Sequence, residues 1–147
     1  MFKRIVVGTD GSGRARQAVV VAAQMARDHG AELHLVQAYR PAAALVASMA
    51  APEAAAAGFV TDAEVAQQVE AHLEALKAEL DSDLDVHTYA SPQAPSQAIL
   101  SLAENLSADL VVVGSKGMHG ARRVLGSVPN SVAHQATCAV LIVPTEG

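Results

Sequence analysis

Strand-length apolar runs alternate with amphipathic helical stretches along the whole chain, which predicts a doubly wound α/β domain, its parallel sheet covered by helices on both faces. Two further observations point the same way. The runs Ile5-Val6-Val7, Asp109 to Val113 and Ala139 to Val143 are apolar almost throughout, as strands buried on both sides should be. Two of them empty into glycine-rich turns, Gly8-Thr9-Asp10-Gly11-Ser12-Gly13 and Gly114-Ser115-Lys116-Gly117. Both turns fall at strand carboxyl ends, the edge where open parallel sheets hold their ligands.

Each element has its own local reason. After the first strand, Ala15, Ala18, Val19, Ala22, Ala23 and Ala26 recur at helical spacing, so a helix over 14–27 is expected, closed by Asp28-His29-Gly30. A second strand spans Glu32 to Tyr39. The alanine-rich stretch from Pro41 to Phe59 has no clear period and is broken by Pro52 and Gly58; a mobile or partly helical excursion near the mouth of the site is expected there. Thr61-Asp62-Ala63-Glu64 has capping-box spacing, and Val65, Val69, Leu73, Leu76 and Leu80 form an apolar stripe behind it, giving a second helix to about residue 80. Asp85 to Tyr89 fits a third strand. Pro95 suits the first turn of a third helix, with Ala98, Ile99, Leu102, Ala103 and Leu106 on its buried face. Asp109 to Val113 is the fourth strand, a short helix is expected over Val128 to Ala136, and Ala139 to Val143, ended by Pro144, is the last strand.

At 147 residues the chain is long enough for one domain, taken as 1–147, with a core that needs no disulfide. The single cysteine, Cys138, has no intrachain partner and no surrounding cluster with metal-ligand spacing, so it reads as a core residue. A net charge of −5 argues against a general grip on nucleic acid. No apolar run approaches the roughly 20 residues of a membrane span, and Met1-Phe2-Lys3-Arg4 leads straight into a strand, so a cytoplasmic protein is expected.

The chemistry gathers at two places. Val111-Val112-Val113-Gly114 delivers a loop of open amides, because glycine leaves no Cβ between backbone and ligand. Gly126-Ser127, just before Val128 and Pro129, marks a helix N-terminus with unpaired N–H groups and a partial positive charge. Together they could converge on one anion such as a phosphate. Asp10 could accept hydrogen bonds from two neighbouring hydroxyls, or it could equally close a turn onto the amides of Ser12 and Gly13. Lys116, Arg122 and Arg123 could screen phosphate charge, with plain surface exposure the alternative for Lys116. No acid or nucleophile is placed beside His119 by the sequence. Nor is there a Gly-x-x-x-x-Gly-Lys-Ser/Thr loop, a nucleophile elbow, a metal-histidine pair or a Cys-x-x-Cys, so a binding protein is predicted. A flavin module shares the fold class, but two Tyr, two Phe and no Trp offer little to stack on its ring.

Gly8-Thr9-Asp10-Gly11-Ser12, the Gly114 to Ser127 stretch and the Cys138-Ala139-Val140-Leu141-Ile142-Val143-Pro144 ending resemble the universal stress protein family over essentially the whole chain. Nucleotide-binding members carry Gly, two residues, Gly, nine residues, Gly, then Ser or Thr. Gly114, Gly117, Gly126 and Ser127 match in type, but eight residues, Met118 to Leu125, separate the middle pair. The resemblance implies a sheet ordered 3-2-1-4-5 and an adenine nucleotide across the carboxyl ends of strands one, two and four. It implies Gly8, Thr9 and Ala38 near the base, Val113 and Gly114 flanking it, and Asp10 at the ribose or at a nucleotide-bound Mg. Gly117, Gly126, Ser127 and Val128 would hold phosphate oxygens, with Lys116 and Arg123 nearby. ATP is the ligand so implied, with slow hydrolysis at most; the short arm would also suit the single phosphate of cyclic AMP, and a dimeric scaffold that binds no nucleotide is a further alternative. A homodimer through Val140, Leu141, Ile142 and Val143 is expected, since these form an apolar edge strand in that order. Nucleotide would then order the glycine arm and the 41–59 excursion, changing the surface offered to a partner.

Overall fold

The computed structural model describes residues 1–41, 61–115 and 125–145, together with the backbone of 118–119 and 122–123. The element order is β1 (Arg4–Thr9), α1 (Gly13–His29), β2 (Glu32–Ala38), α2 (Asp62–Ala78), β3 (Val86–Ser91), α3 (Pro95–Leu106), β4 (Leu110–Gly114), β5 (Met118–His119), β6 (Arg122–Arg123), α4 (Ser127–Gln135) and β7 (Ala139–Val143). Five strands form one parallel sheet in the order β3-β2-β1-β4-β7, which is the expected 3-2-1-4-5 with β7 as its fifth member. The expected excursion over 41–59 lies, apart from Pro41, outside the described residues.

Helices cover both faces, as the unbroken apolar strands require. On one side Ile5, Val7, Leu33, Leu35 and Val112 pack against Ala18, Val19, Ala22 and Ala26 of α1 and Leu73 of α2. On the other, Val6, Val36, Val111 and Val113 pack against Ala98, Ile99 and Ala103 of α3 and Val132 of α4. The alanines of α1 matter here, because small side chains let a helix lie close on a sheet of valines and leucines.

Local signals closed these elements where the sequence placed them, within a residue or two. Gly30 takes φ 64° and its amide bonds back to the carbonyls of Ala26 and Arg27, a left-handed C-cap that suits glycine. The capping box at α2 is complete: Glu64 N–H donates to Thr61 Oγ1 (3.1 Å) and Thr61 N–H to Glu64 Oε2 (3.3 Å). Strand β3 starts one residue later than expected and runs to Ser91, because its ladder with β2 continues to Ala38↔Ser91. Asp109 is not itself in β4. Its carboxylate accepts from the amides of Lys3 (2.7 Å) and Arg4 (3.1 Å), pinning the start of β1 beside that of β4. Burial pulls this carboxyl's pKa up, but the amides of Lys3, Arg4 and Asp109 itself, with the charge of Arg4, together outweigh it and hold the pKa below the usual value. The short antiparallel pair of β5 and β6, Met118↔Arg123 and His119↔Arg122, was not foreseen from the sequence.

Candidate functional site

Parallel strands all end at one edge of the sheet, and there lies a cavity of about 130 Å³ between the ends of β1, β2 and β4 and the starts of three helices. Its floor and walls are apolar: Val36 and Ala38 from β2, Val113 from β4, Pro95, Ala98 and Ile99 from α3, and Val128 and Pro129 from α4. Its mouth is polar, made by Thr9, Asp10, Ser12 and Arg14 at the junction of β1 and α1, and buried Thr145 joins the opposite wall.

Of the residues expected at the site, the cavity brings together Gly8, Thr9, Asp10, Ala38, Val113, Gly114 and Val128. Gly126 and Ser127 stand at the start of α4, as N-cap and first helical residue, but do not line the cavity. Lys116 and Gly117 lie outside the described residues, and Arg123 is placed by its backbone alone. Residues that sequence reasoning missed are Ser12, Arg14, Ala15, Val36, Pro95, Ala98, Ile99, Pro129 and Thr145. Val36 carried a usable signal: it sits two positions before Ala38, hence on the same face of β2.

The turn after β1 is built by its own side chains. Thr9 Oγ1 accepts from the Gly11 amide (3.2 Å), and Asp10 Oδ1 accepts from the Ser12 amide (2.9 Å), so the turn reading of Asp10 holds toward Ser12. Ser12 then caps α1 by accepting from Ala15 N–H at 3.1 Å. Asp10 is exposed and borders the cavity, so turn formation leaves it at the mouth. Gly8 has a packing reason of its own, because a Cβ there would collide with Cδ1 of Ile99 and come within 2.9 Å of its Cγ1. At Gly114 a Cβ would lie 2.9 Å from the Thr145 methyl. Both glycines give up a side chain so that a neighbour can lie against the strand beside the cavity.

Helix starts supply the electrostatics. α1, α3 and α4 all begin at the cavity, and none has an acidic residue in its first turn. Neither Ala94 of α3 nor Gly126 of α4 gives a side-chain cap. By contrast α2, whose start does not line the cavity, carries Asp62 and Glu64 in its first turn and a closed capping box. Uncapped N–H groups and partial positive charge are thus left where a ligand would lie. Arg14 adds a full charge. Arg4, Arg16 and Arg27 pair with Glu32, Glu79 and Asp81, whereas Arg14 forms no ion pair among the described residues. Among those residues no group of three or more His, Cys, Asp or Glu converges as a metal site, so a cation here would have to come with its own ligands.

Comparison with known proteins gives a consistent picture. Residues 1–144 match the universal stress protein family. A universal stress protein of Mycobacterium tuberculosis is 35% identical over 151 residues, spanning 98% of this chain and 97% of its own. One from Thermus aquaticus is 34% identical, spanning 97% and 99%. Among solved structures, a universal stress protein in complex with cAMP is 32% identical, with a TM-score of 0.66 over 99% of this chain and 98% of that one.

Proposed function

The chain belongs to the universal stress protein family, and from that premise we propose that it is a stress-response regulator that binds an adenine nucleotide at the carboxyl ends of β1, β2 and β4. One observation carries the reading: three acid-free helix starts surround a single apolar slot, in a chain with 15 acidic residues. An apolar slot accepts a flat ring, and open amides with partial positive charge accept the anionic end of the same molecule.

The residues divide that work. Val36, Ala38 and Ile99 would enclose the base, with Gly8 and Thr9 below it and Val113 and Gly114 along its side. Asp10, its place fixed by the Ser12 amide, would accept from a ribose hydroxyl. The amides of Ser127 and Val128, with Gly117 and Gly126, would take phosphate oxygens, and Lys116, Arg123 and Arg14 would balance their charge. Any Mg would enter with the phosphates, since Asp10 is the lone carboxylate among the lining residues and one carboxylate holds Mg only alongside phosphate ligands.

Two nucleotides compete for the site. ATP is one. Cyclic AMP is the other, favoured by the cAMP complex of the relative at 32% identity and by the eight-residue arm, which suits a single compact phosphate. We further propose a homodimer through β7, an edge strand whose Val140, Leu141 and Ile142 are only half-buried. Nucleotide extracted from freshly purified protein, followed by calorimetry with ATP, AMP and cAMP on stripped protein, tests the site and ranks the ligands. If none of the three binds with a Kd below about 1 mM, the proposal is wrong.

A further inference from the structure

Just past β7 the chain is laced onto the end of β4: Ser115 N–H donates to the Val143 carbonyl (2.9 Å), and Thr145 N–H donates to Ser115 Oγ (3.0 Å). This fixes Thr145 against the bare Cα of Gly114 and in the wall of the cavity, where it is only 7% exposed. Its backbone N–H is satisfied, but among the described residues its side chain is not. Thr145 Oγ1 is buried and has no hydrogen-bond partner among the described residues.

A buried hydroxyl without a partner is unfavourable, and native proteins keep few of them without a use. Folding does not need this one, since valine has the same shape and would fill the same space. Rotation about Cα–Cβ between staggered wells redirects the hydroxyl without moving the backbone, and Thr145 lines the cavity. We propose that Thr145 is a ligand-binding residue whose hydroxyl is completed by the sugar-phosphate half of the bound nucleotide; this rests on the nucleotide reading above. The half is set by topology. Thr145 follows β7 and Ala38 ends β2, with β1 and β4 between them, so the two lie three strand spacings apart, about 14 Å at the sheet edge. A nucleotide whose base lies against Ala38 therefore brings its sugar or phosphate, not its ring, to Thr145.

The test is T145V and T145S, measured by calorimetry with AMP, cAMP and adenosine and by thermal melting of the stripped proteins. T145V should melt no lower than the parent, because it removes an unsatisfied group, yet bind AMP and cAMP about tenfold more weakly. T145S should bind within about threefold of the parent. A tenfold loss on adenosine as well assigns the contact to the ribose; a loss confined to AMP and cAMP assigns it to the phosphate. Parent-like binding of AMP and cAMP by T145V overturns the role of Thr145, and a drop of several degrees in its melting overturns the claim that the hydroxyl is spare for folding. A parent that binds none of the three ligands refutes the nucleotide reading itself, an outcome distinct from a parent that binds and a variant that binds equally well.

Discussion

Replacing Gly8 with alanine tests whether the floor of the cavity is set by packing. The added methyl would point at α3, meeting Cδ1 of Ile99 in collision and Cγ1 at 2.9 Å. Ile99 is 4% exposed in the core between sheet and helix, so it can yield only by turning toward the cavity or by lifting α3. Overpacking of this kind costs about 1–3 kcal/mol. For a chain of this size about 2 kcal/mol lowers the melting temperature by about 4–8 °C. Calorimetric melting of stripped G8A should show that drop, and because a displaced Ile99 intrudes on the cavity, nucleotide affinity should fall with it. The companion variant I99V deletes the colliding Cδ1. Alone it should cost about 0.5–1.5 kcal/mol, but combined with G8A it should recover about 1 kcal/mol relative to the sum of the single variants. Strict additivity, or a G8A protein that melts with the parent, would refute the claim that Ile99 occupies the place of a side chain at position 8.

Three further outcomes follow from other parts of the molecule. Buried His34 has its pKa held below 6.5, chiefly by burial and also by His87 stacked on it at 4.8 Å, against the opposing pull of Glu32 and Asp85. Neutral, with its proton on Nε2, it donates to Glu32 (3.1 Å), itself paired with Arg4, and accepts from the Tyr89 hydroxyl (2.9 Å). Stability from this group is therefore full above pH 6.5 and lost as pH falls from there toward the lowered folded value, because the unfolded chain takes up the proton first; H34Q should flatten that slope, and urea titrations at pH 7 and 5 that give equal slopes for both proteins would sink the assignment. R14Q, an exposed change, should bind ATP about three- to tenfold more weakly, lose less with AMP and nothing with adenosine, and the deficit should shrink in high salt; an equal loss on adenosine would show that Arg14 acts through folding. L141K places a charge on the half-buried edge strand and should yield monomers in sedimentation velocity at micromolar protein, while a parent-like dimer would move the interface elsewhere.

How much of this was legible in the sequence depends on whether a signal is local. Strands buried on both faces announce themselves as apolar runs, and Gly30 and the Thr61–Glu64 box end and begin their helices through atoms a few residues apart. The Asx turn at Asp10 is likewise complete within three residues. Ile99 is the opposite case. In the sequence it is one more apolar residue at helical spacing, and nothing in that spacing tells whether it faces core or ligand; only the docking of α3 over Gly8 makes it a floor residue. Thr145 was missed for a related reason, since its hydrogen bond to Ser115 joins residues 30 apart. Its position did carry a hint: it is the first polar residue after an apolar strand, at the edge where ligands gather.

One global signal in the sequence bears on the proposed function more than any single motif. In a parallel sheet with helical crossovers every helix begins at the carboxyl edge, so each helix start must be neutralised by its own residues, by solvent or by a ligand. α2 takes the first course with Asp62, Glu64 and Thr61. α1 is capped by Ser12, but α1, α3 and α4, drawn from a chain with 15 acids and 10 lysines and arginines, take no acid in their first turns, and α1 instead puts Arg14 there. A cation in the first turn works against the helix dipole and, at an exposed site, costs a few tenths of a kcal/mol to about 1 kcal/mol. Such a position is costly for the protein alone and favourable once an anion lies at the cavity. On the proposed function the stability given up there would be returned on binding, so stripped protein should gain more from a phosphorylated ligand than its apolar contacts alone explain. In this way the distribution of acids among helix starts, rather than the net charge, supports the carboxyl edge as the proposed binding edge of this α/β sheet.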